Sequence, residues 1–148
     1  MSEYIRDLED SAGAKWNAAA HTATFTSEVL NLGECDRWGI LLDVGTVSGT
    51  SPTLNIEVQT SFDGGTTWLD TYPTQAASGS QANLAEITAS TEISEVWDRH
   101  IPCERPNAPV LGGGSFTPRV RFNCVIAGTS PSFTITNAYF YTLRFRTP

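Results

Sequence analysis

The stretch that decides the fold is Trp38-Gly-Ile-Leu-Leu-Asp-Val-Gly-Thr-Val-Ser-Gly-Thr-Ser-Pro-Thr-Leu-Asn-Ile-Glu-Val58. Apolar side chains fall on every second position on both sides of Gly49-Thr-Ser-Pro52: Trp38, Ile40, Leu42 and Val44 before it, Leu54, Ile56 and Val58 after it. A period of two is the signature of a strand that buries one face. The same phase continues to Phe62, and Asn55, Glu57 and Gln59 take the outward positions. A second stretch repeats the pattern, with Val120, Phe122, Cys124 and Ile126 alternating with Arg119, Arg121, Asn123 and Val125. In the last strand, Phe133, Ile135, Tyr139, Tyr141, Leu143 and Phe145 are read on one face. Thr134, Thr136, Phe140, Thr142, Arg144 and Arg146 are read on the other.

The two stretches align with each other, Val47-Ser-Gly-Thr-Ser-Pro-Thr-Leu-Asn-Ile56 against Ile126-Ala-Gly-Thr-Ser-Pro-Ser-Phe-Thr-Ile135. Proline cannot donate to a ladder, so each Gly-Thr-Ser-Pro is read as the turn of a hairpin, giving two equivalent hairpins. One apolar face per strand is what two packed sheets require. The expected fold is all-β, an antiparallel β-sandwich of jelly-roll type.

Composition agrees with strands. The 148 residues include 19 Thr, 13 Ser and 12 Gly, with one Met and one Lys, which suits pleated sheet better than packed helices. No apolar run is long enough for a membrane-spanning helix, and residues 1–10 are acidic and polar, unlike a secretory signal. The reading divides the chain into an N-terminal arm, 1–20, with weak helical spacing of Tyr4, Ile5, Leu8 and Trp16, and a β-sandwich domain, 21–148. Short edge strands are expected at 21–27 and 28–32. A long loop is expected at 74–94, with a weak strand around Leu84–Thr88, and an irregular loop at 102–114.

The net charge of −7 hides a division. Residues 1–104 hold all 16 acids and four bases, for −12, whereas residues 105–148 hold five arginines and no acid, for +5. An acidic whole argues against nucleic acid as partner, and the basic end suits an acidic neighbour, another copy of this chain included. Cys35, Cys103 and Cys124 have no paired spacing, and with only His21 and His100 a metal site lacks ligands. No metal or cofactor is expected, and the cysteines read as buried thiols of a protein made in a cytoplasm.

Ser61-Phe-Asp-Gly-Gly-Thr-Thr-Trp68 matches the Asp-box pattern, S-x-D-x-G-x-T-W. Asp63 is placed to accept from turn amides, Gly65 to supply positive φ, and Thr67 and Trp68 to lock a structural hairpin together with Ser61. Asp43, Glu57, Asp63 and Asp70 show no cation-loop spacing, no nucleophile elbow is present, and Gly112-Gly-Gly114 lacks a phosphate-loop lysine, so no catalytic residue is assigned. Trp38 and Trp68 read as core. Trp16 and Trp97 read as interface residues or, on a rival reading, as a sugar platform. Arg119, Arg121, Arg144 and Arg146 alternate on the outward phase, to be met by intrachain carboxylates such as Asp43 and Glu57 or by another subunit.

The runs 36–72 and 118–146, carried by Trp38-Gly-Ile-Leu-Leu-Asp-Val44, Gly49-Thr-Ser-Pro52, Ser61–Trp68 and Arg119–Ile135, resemble small structural proteins encoded by tailed bacteriophages. The resemblance implies a capsid decoration or cement protein, a homotrimer on the outside of the virion that binds the major capsid protein and strengthens capsomer contacts. On that reading Tyr4, Ile5, Leu8 and Trp16 bind the shell or a neighbour, with Trp97 and the four arginines as further interface candidates. A tail, neck or fibre-associated virion protein and a carbohydrate-binding module are the alternatives.

Overall fold

In the computed structural model, the structure describes residues 2–31, 36–61, 63–72, 85–98 and 119–144. Every regular element among them is a strand: β1 (Ser2–Asp7), β2 (Phe25–Thr26), β3 (Leu30–Asn31), β4 (Arg37–Ser61), β5 (Leu69–Tyr72), β6 (Ala85–Ile87), β7 (Thr91–Asp98) and β8 (Arg119–Arg144). All eight join one antiparallel sheet through β4 and β8. These two strands pair along almost their whole length, from Arg37↔Leu143 to Ser61↔Arg119. The first half of β4 lies between β8 and β7, and β1 flanks β8 on its other side. The second half of β4 lies between β8 and the short strands β5 and β6, while β2 and β3 flank β8.

The Gly-Thr-Ser-Pro motifs do not turn the chain back on itself as expected. Each is a swerve inside one continuous strand, and the two swerves face each other. Gly49, Ser51, Gly128 and Ser130 all take positive φ, at 113°, 47°, 118° and 50°. Thr50 pairs with Thr129, its counterpart in the aligned motif, and Ser48↔Ser132 is mirrored by Thr53↔Ala127, as Val47↔Phe133 is by Leu54↔Ile126. A local pseudo-twofold therefore runs through Thr50 and Thr129. Only glycine fits beside it: a Cβ on Gly49 would lie 2.7 Å from the Ser130 carbonyl oxygen, and one on Gly128 would lie 2.8 Å from that of Ser51.

The alternation read from the sequence is the observed burial for Trp38–Val44, Leu54–Val58, Val120–Cys124 and Phe133–Ile135, all of which point inward. It breaks after Ile135. The register shifts between Asp43↔Asn137 and Val44↔Ile135, leaving Thr136 as an extra residue. A bulge of one residue exchanges the two faces. Ala138 and Phe140 thus enter the core, while Tyr139 and Leu143 are half-buried on the other side, the reverse of the expected phase. Tyr141 shares that outer side and is 9% exposed. Phe62 and Phe145 lie outside the described residues.

Both halves of the sheet feed one core. Trp38 in the first half meets Phe122 in the second at 6.2 Å between ring centroids, and Phe140 at 6.3 Å. The described residues 2–20 do not form a weakly helical arm. Residues 2–7 are an edge strand, and Leu8 (0% exposed) and Trp16 (1%) are core residues. Trp16 sits edge-on to Phe25 and Phe122, at 5.2 and 6.2 Å. His21 holds this segment down: its ring stacks on Phe25 at 4.1 Å, its Nε2 lies 2.7 Å from the Trp16 carbonyl, and its backbone bridges Phe133. The expected edge strands near 21–32 are β2 and β3, both on β8. The weak strand expected around Leu84–Thr88 is β6, but the loop expected through Ser94 gives way at Thr91 to β7. The loop read at 102–114 lies outside the described residues.

Candidate functional surface

Two local constructions lie outside the core: the turn at Ser61–Trp68 and the outer face of the first half-sheet. The turn follows its motif. Asp63 Oδ1 accepts from the Thr66 and Thr67 amides, at 3.1 and 2.7 Å, and from the Ser61 hydroxyl at 2.9 Å. Ser61 Oγ in turn accepts from the Gly65 amide at 2.7 Å, and Trp68 Nε1 donates to the Gly65 carbonyl at 3.1 Å. Gly64 and Gly65 supply positive φ, 76° and 97°. Hydrogen bonds from Thr67, chiefly its backbone amide, favour the ionised carboxylate and hold the Asp63 pKa down to about 2.

Two of the four arginines serve this turn. Arg119 donates to the Gly64 carbonyl at 2.7 Å; Arg121 donates to Gln59 Oε1 at 2.7 Å and stacks over the Trp68 ring at 4.4 Å. Trp68 is therefore half-buried beneath a guanidinium and is not the core residue expected. The expected carboxylate partners take amides instead: Glu57 accepts from Asn123 Nδ2 at 2.8 Å and Asp43 from Asn137 Nδ2 at 3.5 Å. Arg144, exposed, lies at the opposite end of β8 from Arg119 and Arg121, so the three described arginines do not form one stripe. Arg146, His100 and the Trp97 side chain lie outside what the structure describes.

The outer face of the first half-sheet is set by register. Antiparallel partners directly opposite share a face, which aligns Asp7, Tyr139, Leu41 and Ser94 in one row and Asn137, Asp43 and Glu92 in the next. An open groove of about 390 Å³ runs here, lined by Leu41, Asp43, Glu92, Ser94, Asn137 and Tyr139 among others. The Tyr139 hydroxyl donates to Asn137 Oδ1 at 3.2 Å, tying the ring to the row that holds Asp43. Leu41 is 37% exposed, and Ile5 and Tyr4 on the β1 edge are 50% and 59% exposed. Of the apolar interface candidates in the first twenty residues, Tyr4 and Ile5 are thus at the surface, whereas Leu8 and Trp16 are interior. The sequence reading missed the groove, because its walls come from β7, which was not foreseen, and from Tyr139, whose face was reversed.

Among the described residues no three His, Cys, Asp or Glu side chains gather as metal ligands. Asp43 and Glu57 sit on opposite sides of the β4 swerve, each against its own asparagine. Cys124 is fully buried, and desolvation drives its thiol pKa far above the ordinary value. In comparison with known proteins, no family model and no curated relative matches this chain.

Proposed function

We propose that the protein is a non-enzymatic structural component of a tailed-phage virion, a decoration or cement protein that binds the outside of the head through the β1 edge. The folded sheet is read as a jelly-roll-like β-sandwich, and the subunit as a homotrimer seated on the major capsid protein. The observation that carries the reading is the exposure of Tyr4 and Ile5, 59% and 50%, on an edge strand that is firmly paired to β8 on its other side. An edge strand offers unpaired backbone groups, and two large apolar side chains beside them supply area to bury. The phage-protein resemblance of residues 36–72 and 118–146 supplies the class of partner. A subunit that binds assembled shell better than separated capsomers stabilises the particle by mass action, and repeated weak contacts add through avidity.

Deleting residues 1–20 is the wrong test, because it would remove Leu8 and Trp16 from the core. The informative variant is Tyr4→Ser with Ile5→Ser, which leaves the interior intact. Purified protein is added to heads that lack it, and co-sedimentation and particle melting are recorded. Wild type binds and raises the melting temperature of the heads, and the variant does neither. Equal binding by both, or no binding by wild type, overturns the reading. Saturation at hundreds of copies per particle fits the head, while a dozen or fewer assigns the protein to the neck or tail.

A further inference from the structure

The crossing of β4 and β8 belongs to a larger repeat. Residues 2–61 carry β1 to β4 and residues 69–144 carry β5 to β8, in each case three shorter strands and then a long one with a Gly-Thr-Ser-Pro swerve. β1, β2 and β3 lie in order along β8 from Arg144 towards Arg119. β5, β6 and β7 lie in order along β4 from Thr60 towards Arg37. Every pairing between strands therefore joins one unit to the other, and among the described residues no two strands of the same unit pair. The core follows suit: Trp16 and Trp38 of the first unit pack on Phe122 of the second, and Trp38 also meets Phe140.

These pairings are the same whether the second unit belongs to the same chain or to another copy, so the choice falls to the connection between the units, the Ser61–Trp68 turn. A closed turn keeps the partner unit at high effective concentration. This one is built to stay closed: Asp63 Oδ1 accepts from Ser61, Thr66 and Thr67, and Gly64 and Gly65 take the positive φ it needs. At the matching end of β8 stand the beginning and end of the strand system, with Ser2 opposite Arg144, so the turn has no covalent counterpart there. We infer that the Ser61–Trp68 turn holds the two units together within one chain, and that a chain whose turn cannot close forms a dimer in which each unit pairs with the other unit of a second copy. The inference goes beyond the virion reading and does not depend on it.

The test is a crosslink that records which chain supplies the partner strand. Asn55 and Val125, one from each unit, stand directly opposite across β4 and β8, within reach of a disulfide when both are cysteine. Asn55→Cys with Val125→Cys is unfolded in urea, refolded across a concentration series, oxidised and run on a non-reducing gel, beside wild type as the reference for the native thiols. With the turn intact the crosslink is intrachain and the product runs as a monomer. With Gly64 and Gly65 deleted the product runs as a dimer, interchain crosslinks rise about tenfold or more, and the far-ultraviolet circular dichroism stays that of the parent. Should the deletion fail to fold, Asp63→Ala keeps the chain length and must still lower the concentration at which interchain product appears, by about threefold or more, since three donors lose their acceptor. Intrachain crosslinks alone in the turn variants overturn the inference, as does interchain product at the same concentration with and without the intact turn. A homotrimer of closed chains carries intrachain crosslinks, so this gel is independent of head binding, which scores the virion reading separately.

Discussion

Replacing Gly49 by alanine tests the crossing of β4 and β8 directly. Two costs arise at this position. At φ 113° an L side chain is strained, by about 1–3 kcal/mol. In addition the new Cβ would lie 2.7 Å from the Ser130 carbonyl oxygen and 2.9 Å from the Pro131 Cα. These are backbone atoms of the opposing strand, so no rotamer change relieves the contact. The strands must part, at about 1 kcal/mol for each ladder hydrogen bond weakened. With one such bond weakened, the sum is about 2–4 kcal/mol. With a urea m-value of about 2 kcal/mol/M, a 3 kcal/mol loss lowers the midpoint by about 1.5 M, and melting falls by about 6–12 °C for a chain of this size. Gly13→Ala is the internal control, with φ 89° but no atom within 4 Å of the added Cβ, so it carries the conformational cost alone. Gly128→Ala should match Gly49→Ala, and the double variant should lose about 0.5–3 kcal/mol less than the sum of the singles, because the first substitution has already parted the strands. If Gly49→Ala unfolds at the same urea concentration as Gly13→Ala, the interlocked crossing is not what holds the sheet together.

Three further outcomes are expected. Trp16→Ala should cost about 3–5 kcal/mol in chemical denaturation, as for other large aromatics removed from a core; a surface-like loss below about 0.5 kcal/mol would place the first twenty residues outside the fold. Because the folded-state pKa of Asp63 is depressed to about 2, its stabilising contribution is full above the unfolded value near 4 and is lost as pH falls from there through about 2. The stability difference between wild type and Asp63→Asn should therefore shrink between pH 5 and 2, on the order of the interval between those pKa values, and a constant difference would contradict the turn's electrostatics. Iodoacetamide at pH 8, followed by peptide mapping, should leave Cys124 unmodified in the native protein and alkylate it in denaturant; native labelling would show that its burial has been misjudged.

The parts of this structure legible in the sequence are those whose causes are local. The Ser61–Trp68 turn closes through hydrogen bonds spanning no more than four residues, so its motif sufficed. The inward phase of β4 followed from simple alternation. Gly-Thr-Ser-Pro was misread because glycine and proline interrupt a ladder equally for a reversal and for a swerve. What separates the two is the partner strand, and that is the other copy of the motif. The clue was the repeat itself, as two like segments can pair about a dyad. The reversed face beyond Thr136 had no signal in composition, since Tyr139, Phe140 and Tyr141 are consecutive aromatics and either phase fills the core. β7 was missed because Glu92, Ser94, Glu95 and Asp98 mask its alternation. Both groove walls were hidden by these two failures, whereas the exposed Tyr4 and Ile5 were already suspect as apolar residues among charged ones.

The same crossing sets how the chain must unfold. Neither half of the sheet is continuous in sequence: the first pairs Arg37–Val44 with residues 135–143, the second pairs Thr53–Ser61 with residues 119–127. Since β4 and β8 contribute to both, and Trp38 of one half packs on Phe122 of the other, freeing either half strips partners from both. Tryptophan fluorescence and far-ultraviolet circular dichroism should therefore report one coincident transition in urea. Folding should be slow, on the order of milliseconds to seconds, because the ladder joins residues as distant as Arg37 and Leu143 and their loop must close before any contact repays it. Two separated transitions would mean that one half persists alone, and the shared strands β4 and β8 would then not make the sheet one cooperative unit.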